Sequence, residues 1–145
     1  MIAIPKGKKK SKQRKLSAFK ADLDALFSHW VRRTHSVNGY CTCVSCGVVK
    51  PWKEVDAGHW VSRVHLSTRW HPLNVFPQCK RCNGFLGGNY PAYSLWMFDN
   101  VGLTMMQDLQ EMKNNSVKYS RSDYESMIES TKEKLATLED ERLAA

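Results

Sequence analysis

Four of the five cysteines in this 145-residue chain fall in two pairs, Cys43-Val-Ser-Cys46 and Cys79-Lys-Arg-Cys82, with 32 residues between them. Each CxxC turn aims two sulfurs at one point, and four thiolates suit tetrahedral Zn2+. A disulfide framework fits less well. The first residues, MIAIPKGKKK, lack the apolar run of an export signal, which leaves the reducing cytoplasm as the expected compartment. A thioredoxin-like redox pair would need only one CxxC. Structural Zn2+ is therefore the expected cofactor, its binding adding to the folding energy of a small core. Cys41 is left over. The two-residue gap favours Cys43 with Cys46 as ligands and leaves Cys41 as a small buried residue.

Between the pairs lies Glu54-Val-Asp56-Ala-Gly58-His59-Trp60. A His near neutral pKa can deprotonate a water for attack on phosphorus. Asp and Asn oxygens can hold a hard cation, Mg2+ or Mn2+, against the scissile phosphate. A lone His in a strand is more often structural, and only its setting between two zinc knuckles on a basic chain turns the reading toward a nuclease.

The pieces CVSCG, WKEVDAGHW, LNVFPQCKRCN and GGN, in that order, resemble the zinc-containing HNH endonucleases of the His-Me finger (ββα-metal) superfamily. The closer resemblance is to the phage NinG (Rap) recombination nucleases, over about residues 14 to 140. It implies that His59 is the general base, at the end of the first hairpin strand. It also implies that Asn83, directly after the last cysteine, is a metal ligand on the helix that follows. Asn74 matches a position that pins the loop by side-chain hydrogen bonds to backbone. The implied products carry 3′-hydroxyl and 5′-phosphate ends, and the implied substrates are branched recombination intermediates, including four-way (Holliday) junctions. One position departs from the family. Most members have Asp immediately before the His, where this chain has Gly58, with Asp56 three residues upstream of His59. Residues three apart in a regular strand face opposite sides, so Asp56 is expected to share a cation with Asn83 only if Gly58 forms a bulge. Otherwise Asp56 caps a loop or pairs with Arg63 or Arg69.

The charge distribution points to the same class of partner. Net charge is +8, with eight Lys/Arg and no acid in residues 1–20, against six basic and ten acidic residues in 84–145. A basic front and an acidic tail fit DNA held by the N-terminal two thirds. Lys8, Lys9, Lys10, Arg14 and Lys15 on the arm, and Arg63, Arg69, Lys80 and Arg81 around the site, are the expected backbone contacts. A solvated, disordered arm is the plainer alternative for the first group. The apolar runs are far shorter than the roughly 20 residues of a membrane helix, so no membrane association is expected.

Four segments should position these residues: a flexible basic arm over 1–15, an amphipathic helix over 16–36, the zinc-bound core over 40–90 and a helical region over 91–145. The first helix shows apolar residues at Leu16, Phe19, Leu23, Leu26 and Trp30. Short strands are expected up to about residue 62. A loop anchored by large side chains such as Trp70 should span Ser67 to Gln78, and a short helix should start near Cys79 to Asn83. Gly87, Gly88 and Asn89 either admit a phosphate or form a turn. Ser122 with Glu125 has the form of a capping box for the last helix, from about 123 to 142. The resulting fold class is α+β, a small zinc-stabilised ββα-metal, treble-clef-like HNH core flanked by helices. Symmetric junction cutting needs two sites, so the Leu16–Trp30 or Leu135/Leu138 helix is a candidate homodimer seam unless it packs on its own core. Two other readings compete: a zinc-knuckle nucleic-acid-binding module without catalysis, and a general HNH nicking nuclease without junction selectivity. A nucleobase deaminase is excluded, because no His is followed two residues later by Glu.

Overall fold

The computed structural model describes residues 13–144; the arm residues Lys8, Lys9 and Lys10 lie outside that range. Among the described residues, five α-helices and four short strands make a mixed α+β fold. Helix α1 (Leu16–Thr34) leads into β1 (Tyr40–Thr42) and β2 (Val49–Pro51), then a single 3-10 turn (Trp52–Glu54) and β3 (Val55–His59). Helix α2 (Leu66–Arg69) precedes β4 (Val75–Cys79), which runs into a π-helical turn (Arg81–Phe85). Helices α3 (Tyr90–Asn100), α4 (Leu103–Met112) and α5 (Arg121–Ala144) follow. Among the described residues, no helix is long and apolar enough to cross a membrane.

The strands form two separate antiparallel ribbons, β1 with β2 and β3 with β4. Two-stranded ribbons are marginal alone, so each must lean on something larger. On one side of β3/β4, Val61 and Phe76 pack with Tyr93, Met97 and Leu109 from α3 and α4. On the other, Val75 and Ala57 meet Phe27 and Val31 of α1. The CxxC-bearing segment and the C-terminal helices thus share one apolar core, with Val44 and Trp60 at its margin.

Helix α1 buries Phe19, Leu23, Phe27 and Val31, a strict four-residue spacing, while Leu16 is 48 % exposed. The expected stripe through Leu26 and Trp30 is rotated by about one position, because α1 has two partners. The β3/β4 ribbon takes Phe27 and Val31, and α5 takes Phe19 and Leu23 through Tyr124. Both candidate dimer-seam helices therefore pack on each other within the chain. Arg33 donates to both Glu139 carboxylate oxygens at 2.7 and 2.8 Å, and Arg142 donates to the carbonyls of Arg33 and Ser36, satisfying the open C-terminus of α1.

Three local expectations are corrected. The segment expected as a loop holds α2 and β4, since Val75 to Cys79 finds a partner in β3 that its own sequence, with Pro77, does not advertise. The capping box at α5 is Ser120 with Asp123, two residues earlier than the Ser122/Glu125 pair. Asp123 N donates to Ser120 Oγ at 3.1 Å and Ser120 N to Asp123 Oδ2 at 2.8 Å. Gly58 forms no bulge. The β3/β4 register is continuous, Asp56 opposite Gln78, Gly58 opposite Phe76 and His59 opposite Val75.

Gly58 is needed for a different reason. A Cβ there would lie 1.9 Å from Gln78 Oε1 and 2.6 Å from its Cδ. Gln78 is fully buried and held in place, because its amide nitrogen donates to Ser45 Oγ and Gly88 O, both at 2.8 Å. Replacing Gly58 by Ala should therefore overpack the ribbon and cost about 2 kcal/mol, read as a lower urea midpoint at unchanged slope. An unchanged midpoint would show that Gln78 yields.

Candidate metal and phosphodiester site

The two CxxC segments meet where the first knuckle folds onto the end of β4. Gly47, at φ +79°, turns the first knuckle back so that its N–H donates to Cys43 O at 2.9 Å. Val44 N donates to Pro77 O at 3.1 Å, tying that loop to β4. The four sulfurs of Cys43, Cys46, Cys79 and Cys82 then lie within 4.8 Å of one another, with only Cys46 exposed. Hydrogen bonds reach the sulfurs from Cys82 N (to Cys79) and Asn89 Nδ2 (to Cys82), each at 3.4 Å. Four converging thiols with N–H donors behind them have the donor set and second layer that Zn2+ takes. The Gly87-Gly88-Asn89 turn serves this cluster: Asn89 points at Cys82, and Gly88 O accepts from Gln78. Cys41 lies apart, fully buried, its thiol donating to Arg32 O at 3.2 Å.

A second site opens beside the first. A cavity of about 670 Å3 lies between α1, β3 and the π-helical turn, with Asp24, Asp56, His59 and Asn83 in its lining. Without a bulge at Gly58, Asp56 still meets Asn83, and Asp56 and His59 line the same cavity although three apart in a regular strand. Asp56 accepts from Asn83 Nδ2 at 3.1 Å and from Lys80 Nζ at 2.8 Å. Its partners are thus Asn83 and Lys80, while Arg63 and Arg69 pair with Asp24.

His59 is half-buried, with Nε2 at 2.8 Å from Arg69 O. A carbonyl can only accept, so Nε2 carries the proton and Nδ1 keeps its lone pair. Burial pushes the ring's pKa below the ordinary 6.5. The bond to Arg69 O and the Asp24 charge oppose this, the Arg63 and Arg69 charges add to it, and the net direction is downward. The ring is accordingly unprotonated at neutral pH, with Nδ1 able to accept a proton.

The loop between β3 and β4 is held by Asn74, fully buried. Its Oδ1 accepts from Val61 N at 2.7 Å, and its Nδ2 donates to Val61 O and Thr68 O at 3.0 and 3.1 Å. The Tyr93 hydroxyl does similar work on the ribbon, donating to Gly58 O at 2.7 Å and accepting from Phe76 N at 3.1 Å.

The basic residues divide into two kinds. Lys80 and Arg63, 69 % and 61 % exposed, hold their carboxylates loosely on the cavity rim. Arg81 is exposed and lines a neighbouring groove with Lys50 and Cys46. Arg69, at 11 % exposure, is committed to Asp24. Arg14 lies just before α1, paired with Asp22 and over the Phe19 ring, and Lys15 is the residue that precedes the first turn of that helix. Motif reading passed over Asp24 and Arg32, both from α1 and both lining the cavity. One signal was available for Asp24: it and Asp22 are the only acids in the first 53 residues.

Metal content tests the four-sulfur assignment. The wild type and Cys41→Ser should each carry one Zn2+ per chain by elemental analysis, whereas Cys82→Ser should lose the metal and melt at lower temperature. Full stoichiometry and an unchanged melting point in Cys82→Ser would break the assignment.

No curated protein and no solved structure matches the chain. The family model described as Bacteriophage Lambda NinG protein matches residues 5–141, which takes in both CxxC pairs and every residue of the cavity named above. The chain belongs to the bacteriophage lambda NinG family.

Proposed function

We propose that this chain is a metal-dependent endodeoxyribonuclease of the HNH, His-Me finger type, hydrolysing phosphodiester bonds in branched recombination intermediates such as four-way junctions. One observation carries the reading: a neutral His59 with a free Nδ1 faces the same cavity as the Asp56–Asn83 pair, under a rim of Lys and Arg. A module that only binds nucleic acid has no need of an oriented, uncharged imidazole there. In this reading β3, β4 and the π-helical turn are the ββα-metal unit, and the turn that follows the last cysteine carries Asn83.

His59 accepts a proton from the water that attacks phosphorus in line with the departing 3′ oxygen. Asp56 and Asn83 offer hard oxygen donors from one side only, which suits a cation that retains most of its waters. Asn83 would present Oδ1 by turning its amide over, an orientation set by its hydrogen-bond partner. Held there by Asp56 and Asn83, Mg2+ or Mn2+ would neutralise charge developing on the phosphate and the 3′ oxygen. Lys80, released from Asp56, and Arg63 can turn to the phosphate backbone, because an exposed ion pair is worth only about 0–1 kcal/mol. Zinc held by Cys43, Cys46, Cys79 and Cys82 would play no chemical part and would fix the turn on which Asn83 sits.

The test is divalent-dependent cleavage of an end-labelled four-way junction beside a linear duplex of the same arms. His59→Ala should lose cleavage by about 10²-fold or more while binding stays within about twofold. Loss of binding together with cleavage would remove His59 as the base. Equal cutting of both substrates would leave a general nicking nuclease, and tight binding without cutting would leave a binding module. The acid limb of the wild-type rate should fall below pH 6.5, because the buried base stays deprotonated further down than a free imidazole. A limb above 6.5 would contradict the buried-base assignment.

A further inference from the structure

The proposed hydrolysis gives no task to the most heavily bonded carboxylate beside the cavity, Asp24 of α1. Its Oδ1 accepts from Arg69 Nε and from Trp70 Nε1, both at 2.9 Å. Its Oδ2 accepts from Arg69 Nη2 at 2.5 Å and Arg63 Nη2 at 3.2 Å. Arg69 is further fixed by Nη1, which donates to Arg63 O at 3.0 Å. Asp24 therefore grips both residues that flank one peptide group, the one joining Arg69 to Trp70. The carbonyl of that peptide is the partner of His59 Nε2.

The peptide needs such a grip. It lies at the end of α2, a helix of four residues, too short to hold its own geometry. Trp70 sits in the apolar layer beneath α1 and α5, against Tyr119 and Tyr124, so the carboxylate joins that layer to the cavity wall. We propose that Asp24 is a positioning residue: by holding Arg69 and Trp70 it aims the Arg69 carbonyl at His59 Nε2, and so sets which ring nitrogen is left free to act as base. The inference rests on the reading of His59 as the base only for its effect on rate; its effect on the imidazole tautomer stands without it.

Asp24→Asn tests this, because it keeps the size of the side chain but removes the charge and turns an N–H donor toward donors. The first readout is ring-nitrogen NMR of His59 in the zinc-loaded protein without DNA or added Mg2+. The wild type should show the Nε2–H tautomer, and Asp24→Asn a mixture of the two neutral forms. The second is junction cleavage. Asp24→Asn should lower kcat about tenfold to a hundredfold with KM within about twofold, and Asp24→Glu should recover part of the loss. Arg69→Lys, which keeps the charge but loses the planar fork, should act in the same direction and serves if Asp24→Asn does not fold. A folded variant that keeps the Nε2–H tautomer and full kcat overturns the proposal. If the wild type cuts nothing while Asp24→Asn still mixes the tautomers, the nuclease reading fails and the positioning role stands.

Discussion

The convergence of four sulfurs within 4.8 Å is the constraint on which the rest of this structure depends. Neither ribbon of strands is large enough to be stable alone. The cysteines join the first knuckle to the end of β4 and to the π-helical turn, so that elements distant in sequence share one rigid corner. Gln78 extends that corner inward, its amide bonded to Ser45 in one knuckle and Gly88 in the closing turn. Its side chain occupies the space that a residue larger than glycine at position 58 would take. One buried amide thus couples the four-sulfur corner to the ribbon that carries Asp56 and His59.

The second layer is α1 with α5. It buries Phe19, Leu23 and Tyr124 in one cluster and Phe27, Val31 and Val75 in another, and the Arg33–Glu139 fork fixes their relative rotation. This accounts for part of the lopsided charge distribution. The acidic C-terminal helix leans on the basic end of α1, where Glu139 and Arg142 satisfy Arg33 and the open helix terminus. Arg63 and Lys80 stay on the cavity rim, away from the Arg33–Glu139 pair.

The cavity itself combines two electrostatic regimes. Burial keeps His59 neutral, while Asp24 stays ionised with its pKa held down: burial pushes it upward, and hydrogen bonds and charge from Arg69, with Trp70 and Arg63, outweigh that. Asp56 faces exposed Lys80 and the Asn83 amide, partners that can exchange. The site is therefore rigid on the side of the proposed base and replaceable on the side of the proposed cation.

Much of the four-cysteine corner was legible in the residues. CxxC spacing is a local property of the chain, and the four cysteines it picks out are the four that converge, with Cys41 apart. The helical stripes were legible in kind but not in rotation, since which face of α1 is buried depends on two partners that its own period cannot reveal. Strand β4 was missed because Val75 to Cys79 shows no alternation and holds a proline; it becomes a strand only where β3 offers a ladder. The expectation of a bulge at Gly58 followed from strand periodicity, which describes where a Cβ points and says nothing of a cavity that two faces can reach, or of a neighbour that needs the glycine's empty space. Asp24 shows the same limit from the other direction. Its type and its place in a basic segment are in the sequence, but its bonds to Arg63, Arg69 and Trp70 span 39 to 46 residues. Short-range chemistry is written in residue spacing; contacts across such distances exist only once packing has brought the helix over the loop.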